Sequence, residues 1–316
     1  MATPGLSAIA STTYKHHQKE FADNCSNGNE LFRYMKKKGS VKVSGGEKIV
    51  EELMYATGNG GSYSGMDPLQ ISKPEGLSAA EFDWSEYYAT ITIEGSEEIR
   101  NSGPEKIIDL MKARMKQAEI TMANLHGIAI YGDGTGNGGK DLLGLAAICD
   151  TDPTTGILGG IDRADANNVF WRNKIDTITA FNTSNEGLQD FGTMVRTLSR
   201  GMDRPKVIVV GNTVFGLIEQ AANGRAQFNN PVLADLGFHG LKFEGIDILF
   251  DPQCTAARAY FLNTDYLKLN VHSAREYKLG KFIEPADAVY EVAKILWAGQ
   301  LTVSNCALQG VITVNG

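Results

Sequence analysis

Residues 87–110 read YYATITIEGSEEIRNSGPEKIIDL, and the spacing of their apolar side chains changes midway. Up to residue 94 the period is two. Tyr87, Ala89, Ile91 and Ile93 alternate with Glu86, Tyr88, Thr90, Thr92 and Glu94, which predicts a half-buried strand over 85–94. Ser102-Gly103-Pro104-Glu105 then supplies a capping box, with proline in the first helical turn. From there apolar residues recur at Ile107, Ile108, Met111, Met115, Ala118, Met122, Leu125 and Ala129. This single stripe predicts a spine helix over 104–131, about 42 Å long at 1.5 Å per residue.

Upstream, 47–56 is apolar-rich, and the stretch 57–84 between it and the strand shows no sustained period. A structureless loop of that length inside a compact domain implies a function. We read 45–96 as a two-stranded extension reaching away from the body, bent near Gly58 to Gly65. Downstream the chain is mixed. Leu188, Phe191, Val195 and Leu198 mark a helix, 206–211 a buried strand, and 212–222 a helix stopped by Asn223-Gly224. Strands follow at 246–250, 259–262, 267–271, 288–297 and 308–314. The fold class is α+β, and no 20–50-residue repeat suggests a solenoid.

Composition narrows the function. The 316 residues are 42% hydrophobic and carry a formal charge of −7, too acidic for a surface that grips nucleic acid throughout. The charge is uneven: residues 1–43 hold seven basic against three acidic side chains, a surplus of four that leaves −11 on the remainder. A basic arm on an acidic body suggests contact with an acidic neighbour. The four cysteines, Cys25, Cys149, Cys254 and Cys306, lie far apart in sequence, which argues for free thiols rather than zinc ligands or a disulfide scaffold. No signal peptide or membrane span is expected. Glycine clusters at 45–66, 127–144 and 156–160.

The second cluster invites catalytic readings that fail on chemistry. As a P-loop, Gly134, Gly139 and Lys140 have the right spacing, but Asp141 stands where a magnesium-binding hydroxyl belongs. As a dinucleotide turn, Gly134, Gly136 and Gly139 follow a helix, whose negative dipole end would face the phosphates. As a calcium loop, 133–144 has Thr135 at its third position and Gly144 in place of the bidentate glutamate. Gly61-Ser62-Tyr63-Ser64-Gly65 lacks the offsets of a nucleophile elbow. His16, His17, His126, His239 and His272 show no ligand spacing, and His126 falls within the spine helix as a structural residue. No catalytic residue, cofactor or metal is expected, and 132–141 reads as a flexible turn closing the spine.

The order of parts resembles the major capsid protein of tailed bacteriophages, the Hong Kong 97-type fold. The likeness is sharpest in residues 87–104, quoted above, and in AKILWAGQLTV, residues 293–303. The resemblance implies an N-terminal arm at 1–44, an E-loop at 45–98, a peripheral domain at 99–185 plus 284–316, and an axial domain at 186–283. It also implies a non-enzymatic subunit that assembles with itself into hexamers and pentamers of an icosahedral phage head around double-stranded DNA. Scaffolding and portal proteins would be partners, the DNA contact weak and non-specific, and no membrane involved. Its place would be the virion capsid, and the host cytoplasm during assembly. The expected interface residues are Gly58, Tyr63, Met66 and Asp67 on the loop, and Lys36, Lys37 and Lys38 on the arm. An encapsulin-like compartment shell is the nearest alternative, and a nucleotide-binding enzyme using 132–141 the other.

Overall fold

The computed structural model describes residues 29–38, 40–67, 69, 75–95, 97, 104–179, 181, 186–223, 241–285 and 289–315. Most of the arm (1–28), the capping residues Ser102 and Gly103, the side chains of Ile107 and Ile108, and the Gly224 stop lie outside this set.

Two sheets organise the body. The first has the order β1 (Ser40–Val43), β12 (Leu267–His272), β14 (Tyr290–Val303), β13 (Lys278–Leu279), with β4 (Ser85–Glu94) on the other flank of β14. β4 is the expected strand, with strictly alternating burial, and it pairs antiparallel with β14 from Ser85↔Gly299 to Glu94↔Tyr290. The spine helix α2 (Pro104–Ala129) packs against β4. Met111, Met115, Ala118 and Met122 join Tyr87, Ala89, Ile91 and Ile93 in the core, as the periodicity requires. One position departs from the predicted stripe. Leu125 is 37% exposed, and His126 takes the buried place, because the steps of four that run from Ala118 to Met122 lead on to 126 rather than 125.

The second sheet has the order β7 (Lys174–Ile178), β15 (Gly310–Val314), β11 (Arg258–Leu262), β8 (Val207–Val210), β10 (Ile246–Phe250), β9 (Lys242–Phe243). Its centre divides two cores. Val207, Val209, Tyr260, Leu262 and Val311 face the spine-helix core. Ile208, Val210, Ala259, Phe261 and Ile312 face a second core with Phe191, Val195 and Leu198 of α3 (Glu186–Leu198) and Val214 and Ile218 of α4 (Asn212–Asn223). Burial on both faces explains why β8 is an unbroken apolar run.

Sheet membership does not follow the expected domain boundaries. β15, placed in sequence with the peripheral segment, lies between β7 and β11, whereas β12 and β13, placed with the axial segment, join β14. The extension also differs from expectation. β4 belongs to the body, and the strand that pairs with β2 (Ile49–Met54) is β3 (Leu77–Phe82), in register from Ile49↔Phe82 to Met54↔Leu77. β3 reads LSAAEF, and its exposed Leu77 and Ala79 erase the alternation that would have revealed it.

α1 (Glu30–Lys38) belongs to the body as well. Asn29 caps it, accepting from Phe32 N at 2.8 Å, and Leu31, Phe32 and Met35 are buried in the spine-helix core. Buried Asp251 accepts from Tyr131 Oη at 2.7 Å and from Leu31 N at 3.4 Å, tying the helix start to the end of the spine.

Candidate assembly surface

The β2–β3 hairpin has two unlike faces. Ile49, Glu51 and Leu53 point inward with Ala80 and Phe82. Glu51 is the exception in this apolar row, and the sheet beneath receives it. Its carboxylate accepts from Thr302 Oγ1 at 2.9 Å and from Lys268 Nζ at 3.0 Å, while Asn270 Nδ2 donates to Thr302 Oγ1 at 2.7 Å. A carboxylate 8% exposed is tolerable only because it is paired with a cation and hydrogen-bonded. The hairpin root is therefore fixed in register on β12 and β14.

Further ties hold the base. Trp84 Nε1 donates to the Gly46 carbonyl at 3.0 Å, and Lys48 pairs with Glu81 across the strands at 3.1 Å. Tyr55 stacks on Phe170 with ring centres 4.4 Å apart. The third glycine cluster is part of this root. Gly159, in the turn joining β5 (Ile157–Leu158) to β6 (Ile161–Asp162), accepts from Glu81 N at 2.9 Å. It has φ 59°, and a Cβ there would lie 2.9 Å from Ala80 Cβ and 3.0 Å from Phe82 Cζ. Gly159→Val is expected to destabilise the subunit by about 2–4 kcal/mol, combining left-handed strain with overpacking. Gly160→Ala, with open space at its Cβ, bears the backbone part alone, about 1 kcal/mol. Urea midpoints of the two variants decide it: equal midpoints would remove Gly159 from the root.

The outward face carries Val50, Glu52 and Met54 opposite Glu81, Ala79 and Leu77. Met54 and Leu77 form an exposed cross-strand pair, 77% and 81% accessible. Beyond them Tyr63 and Met66 are fully or largely exposed. Burying such side chains against a partner gains about 1.5–3 kcal/mol each.

The expected interface residues fall in two places. Gly58, Tyr63, Met66 and Asp67 lie on the extension between β2 and β3. Asp67 closes a local turn: its carboxylate accepts from Ser64 N at 3.0 Å, its own N donates to Ser64 O at 3.1 Å, and Gly65 takes φ 53° between them. The turn needs glycine at 65, whereas Gly58 has an ordinary φ. Lys36, Lys37 and Lys38 form the last turn of α1, which packs on β1, β10 and β12, an element apart from the extension. The arm's basic surplus sits here, since residues 29–43 hold five basic and one acidic side chain, whereas 1–28 are balanced. Sequence reasoning missed Glu51, Lys268, Thr302 and Gly159. The available signal was a charged residue on the apolar face of 49–53.

The glycine-rich loop closes on itself. Asp133 Oδ1 accepts from Thr135 N at 2.9 Å and from Thr135 Oγ1 at 2.8 Å, which holds its carboxyl below the usual range. Gly139 N and Lys140 N donate to carbonyls at 135 and 136. Leu142 N donates to Tyr87 Oη at 2.7 Å and Leu143 N to Gln300 Oε1 at 3.0 Å, so the loop ends pinned to the first sheet. His126 is buried and packed. Phe32 stacks on it at 4.9 Å, Trp297 lies at 4.5 Å, and Tyr277 Oη is 3.0 Å from Nδ1. Burial lowers its pKa from 6.5 to about 3. Cys149, Cys254 and Cys306 are free and buried. Among the described residues no group of three or more His, Cys, Asp or Glu is placed to hold a metal ion, and no helix is long and apolar enough to cross a membrane.

No family model and no curated protein matches this sequence. Solved structures do match in shape. The capsid asymmetric unit of cyanophage A-1(L) superposes with a TM-score of 0.65 at 14% identity, covering 88% of this chain and 90% of that one. The capsid of a native GTA particle gives 0.63 at 13%, covering 93% and 91%. A virus-like particle from Pyrococcus furiosus gives 0.52 at 10%, covering 92% and 95%. With matches spanning about nine-tenths of the chain, and with its spine helix, two sheets and rooted hairpin, the chain has the Hong Kong 97-type capsid fold.

Proposed function

We propose that the chain is a major capsid protein, a non-enzymatic subunit that assembles with itself into hexamers and pentamers of an icosahedral head around double-stranded DNA. The observation that carries this reading is the outward face of the extension. Met54, Leu77, Tyr63 and Met66 are exposed on a hairpin whose root is fixed by a buried ionic cluster, so the apolar surface is presented rather than loose. A monomer has no use for such a surface, and a neighbouring copy in a closed shell does. Many modest contacts per subunit then hold the particle. The extension lies over a neighbour, and the acidic body keeps packaged DNA at weak, non-specific contact. Scaffolding and portal proteins complete the head, and no membrane takes part. The protein resides in the virion capsid, having assembled in the host cytoplasm.

Negative-stain imaging and light scattering of the purified protein test this. Closed particles are the expected result, and an obligate monomer or dimer under all conditions overturns the reading. A compartment shell is the second reading, since one of the matching shapes is a virus-like particle, a shell that is not named as a phage head. Particles whose contents are a protein cargo instead of DNA would establish it. Lys140→Ala is expected to leave assembly unchanged, with no nucleotide affinity in either protein by isothermal titration. Nucleotide binding abolished by this variant would revive the enzyme reading.

A further inference from the structure

The sulfur atoms of this chain occupy two opposite kinds of surroundings. Of the eight methionines among the described residues, Met35, Met111, Met115, Met122 and Met194 are no more than 6% exposed, whereas Met54, Met66 and Met202 are 77%, 102% and 99% exposed. The thiols of Cys149, Cys254 and Cys306 are buried. Burial pushes all three well above the ordinary thiol pKa, so they carry almost no thiolate, the form that a peroxide attacks. A thioether has no proton to lose, and its reactivity toward a hydroperoxide follows access. The three exposed methionines are therefore the first sulfurs among the described residues that such an oxidant reaches.

Two of the three stand on the extension, on backbone that is held in place. Met54 ends β2 and faces outward beside its cross-strand partner Leu77. Met66 follows Gly65 within the Ser64–Asp67 turn, which is closed by Asp67 N on Ser64 O at 3.1 Å and by Ser64 N on the Asp67 carboxylate at 3.0 Å. Met202 stands on a comparable turn after α3. Arg200 N donates to Asp203 O at 2.8 Å, Asp203 N to Arg200 O at 3.0 Å, and Tyr266 Oη to Asp203 Oδ2 at 2.8 Å. It matches the other two in access without belonging to the extension, which makes it an internal control.

We propose that Met54 and Met66 form a modification site at which a hydroperoxide blocks assembly; this rests on the reading of the extension as the surface that a neighbouring copy covers. The step is an oxygen-atom transfer. The thioether sulfur attacks one oxygen of H2O2, an S–O bond forms as the O–O bond breaks, sulfur loses two electrons, and the other oxygen takes them and leaves as water once protonated. The sulfoxide is a polar acceptor where an apolar side chain stood. Taken out of water by a neighbour with no donor to meet it, it opposes the contact, and every subunit of the shell carries the same penalty. Two electrons from a dithiol, delivered by a methionine sulfoxide reductase, return the thioether and release water, so the block is reversible.

The test treats the dispersed full chain with hydrogen peroxide, quenches with free methionine, maps the sulfoxides by peptide mass spectrometry and follows assembly by light scattering and negative-stain imaging. Residues 54, 66 and 202 are expected to oxidise at least tenfold faster than the five buried methionines, and the yield of closed particles to fall at least tenfold. Met54→Leu combined with Met66→Leu keeps apolar side chains and removes both thioethers. Its particle yield is expected to be the same with and without peroxide, whereas Met202→Leu leaves the loss in place. Native protein that is oxidised at 54 and 66 and still assembles in full overturns the proposal alone, as does a double variant that loses its particles to peroxide as the native chain does. Untreated native protein that forms no particles overturns the capsid reading, and this proposal with it.

Discussion

Closed particles are expected to disappear from micrographs when residues 56–75 are replaced by Asn-Gly, while the subunit stays folded. The design follows from the hairpin. Tyr55 N donates to Gly76 O at 3.0 Å, so these residues already face each other as the last pair, and a two-residue turn of this type closes them with the twist that β2 and β3 require. The described residues of the excised segment are all exposed, Tyr63, Met66 and Leu69 among them, and the Ser64–Asp67 turn is self-contained, so their loss removes little from the subunit's own core. The urea midpoint is expected to move by no more than about 1 kcal/mol in stability, as for surface changes. Assembly loses far more. Three large side chains at about 1.5–3 kcal/mol each amount to several kcal/mol per subunit, and closure multiplies that loss over every copy. Light scattering should fall to the value of the dispersed subunit or of small capsomers. Normal closed particles from the variant would take the extension out of the interface.

What the sequence revealed, and what it hid, divides by the range of the interactions. β4, the spine helix and β8 were legible because each announces itself in a local period: alternation from Tyr87 to Ile93, threes and fours from Met111 to Met122, and an unbroken apolar run at Val207–Val210. The partner of β4 was not. It pairs with Tyr290–Val303, about two hundred residues later, and nothing between Ser85 and Glu94 names that register. The nearer strand at 47–56 therefore looked like its partner. β3 was hidden for the reason that makes it a candidate interface: Leu77 is exposed, so the segment does not alternate as a strand at rest on its own core does. Glu51 carries the same lesson inward. Its burial depends on Lys268 and Thr302, which long-range pairing alone delivers to it. Leu125 and His126 exchanged their expected places because hydrophobicity favoured the leucine, while the aromatic enclosure of Phe32, Tyr87, Tyr277 and Trp297 accepts a neutral imidazole.

That enclosure is expected to make the dispersed subunit sensitive to mild acid. His126 is held neutral, its pKa lowered from 6.5 to about 3 by burial, while in the unfolded chain it titrates near 6.5. Below pH 6.5 the unfolded state binds a proton that the folded state refuses. Stability present above that pH is therefore lost as pH falls, at about 1.4 kcal/mol per pH unit, until the folded pKa is reached. By pH 5 the loss from this one residue is about 2 kcal/mol. Most carboxylates titrate lower still, so between pH 7 and 5 the histidine dominates the slope. His126→Phe combined with Tyr277→Phe keeps aromatic rings beside Phe32 and Trp297 and leaves no phenol without its partner, since Tyr277 Oη bonds Nδ1. Urea midpoints of the double variant are expected to be flatter by about 2 kcal/mol between pH 7 and 5 than those of the native chain. Because the residue joins α1, the spine helix and β14, hydrogen exchange at pH 5 should show uptake rising first across 29–38 and 122–130 in the native chain alone. Parallel pH profiles for the two proteins would mean that His126 is reached by protons without unfolding, and would sink the account.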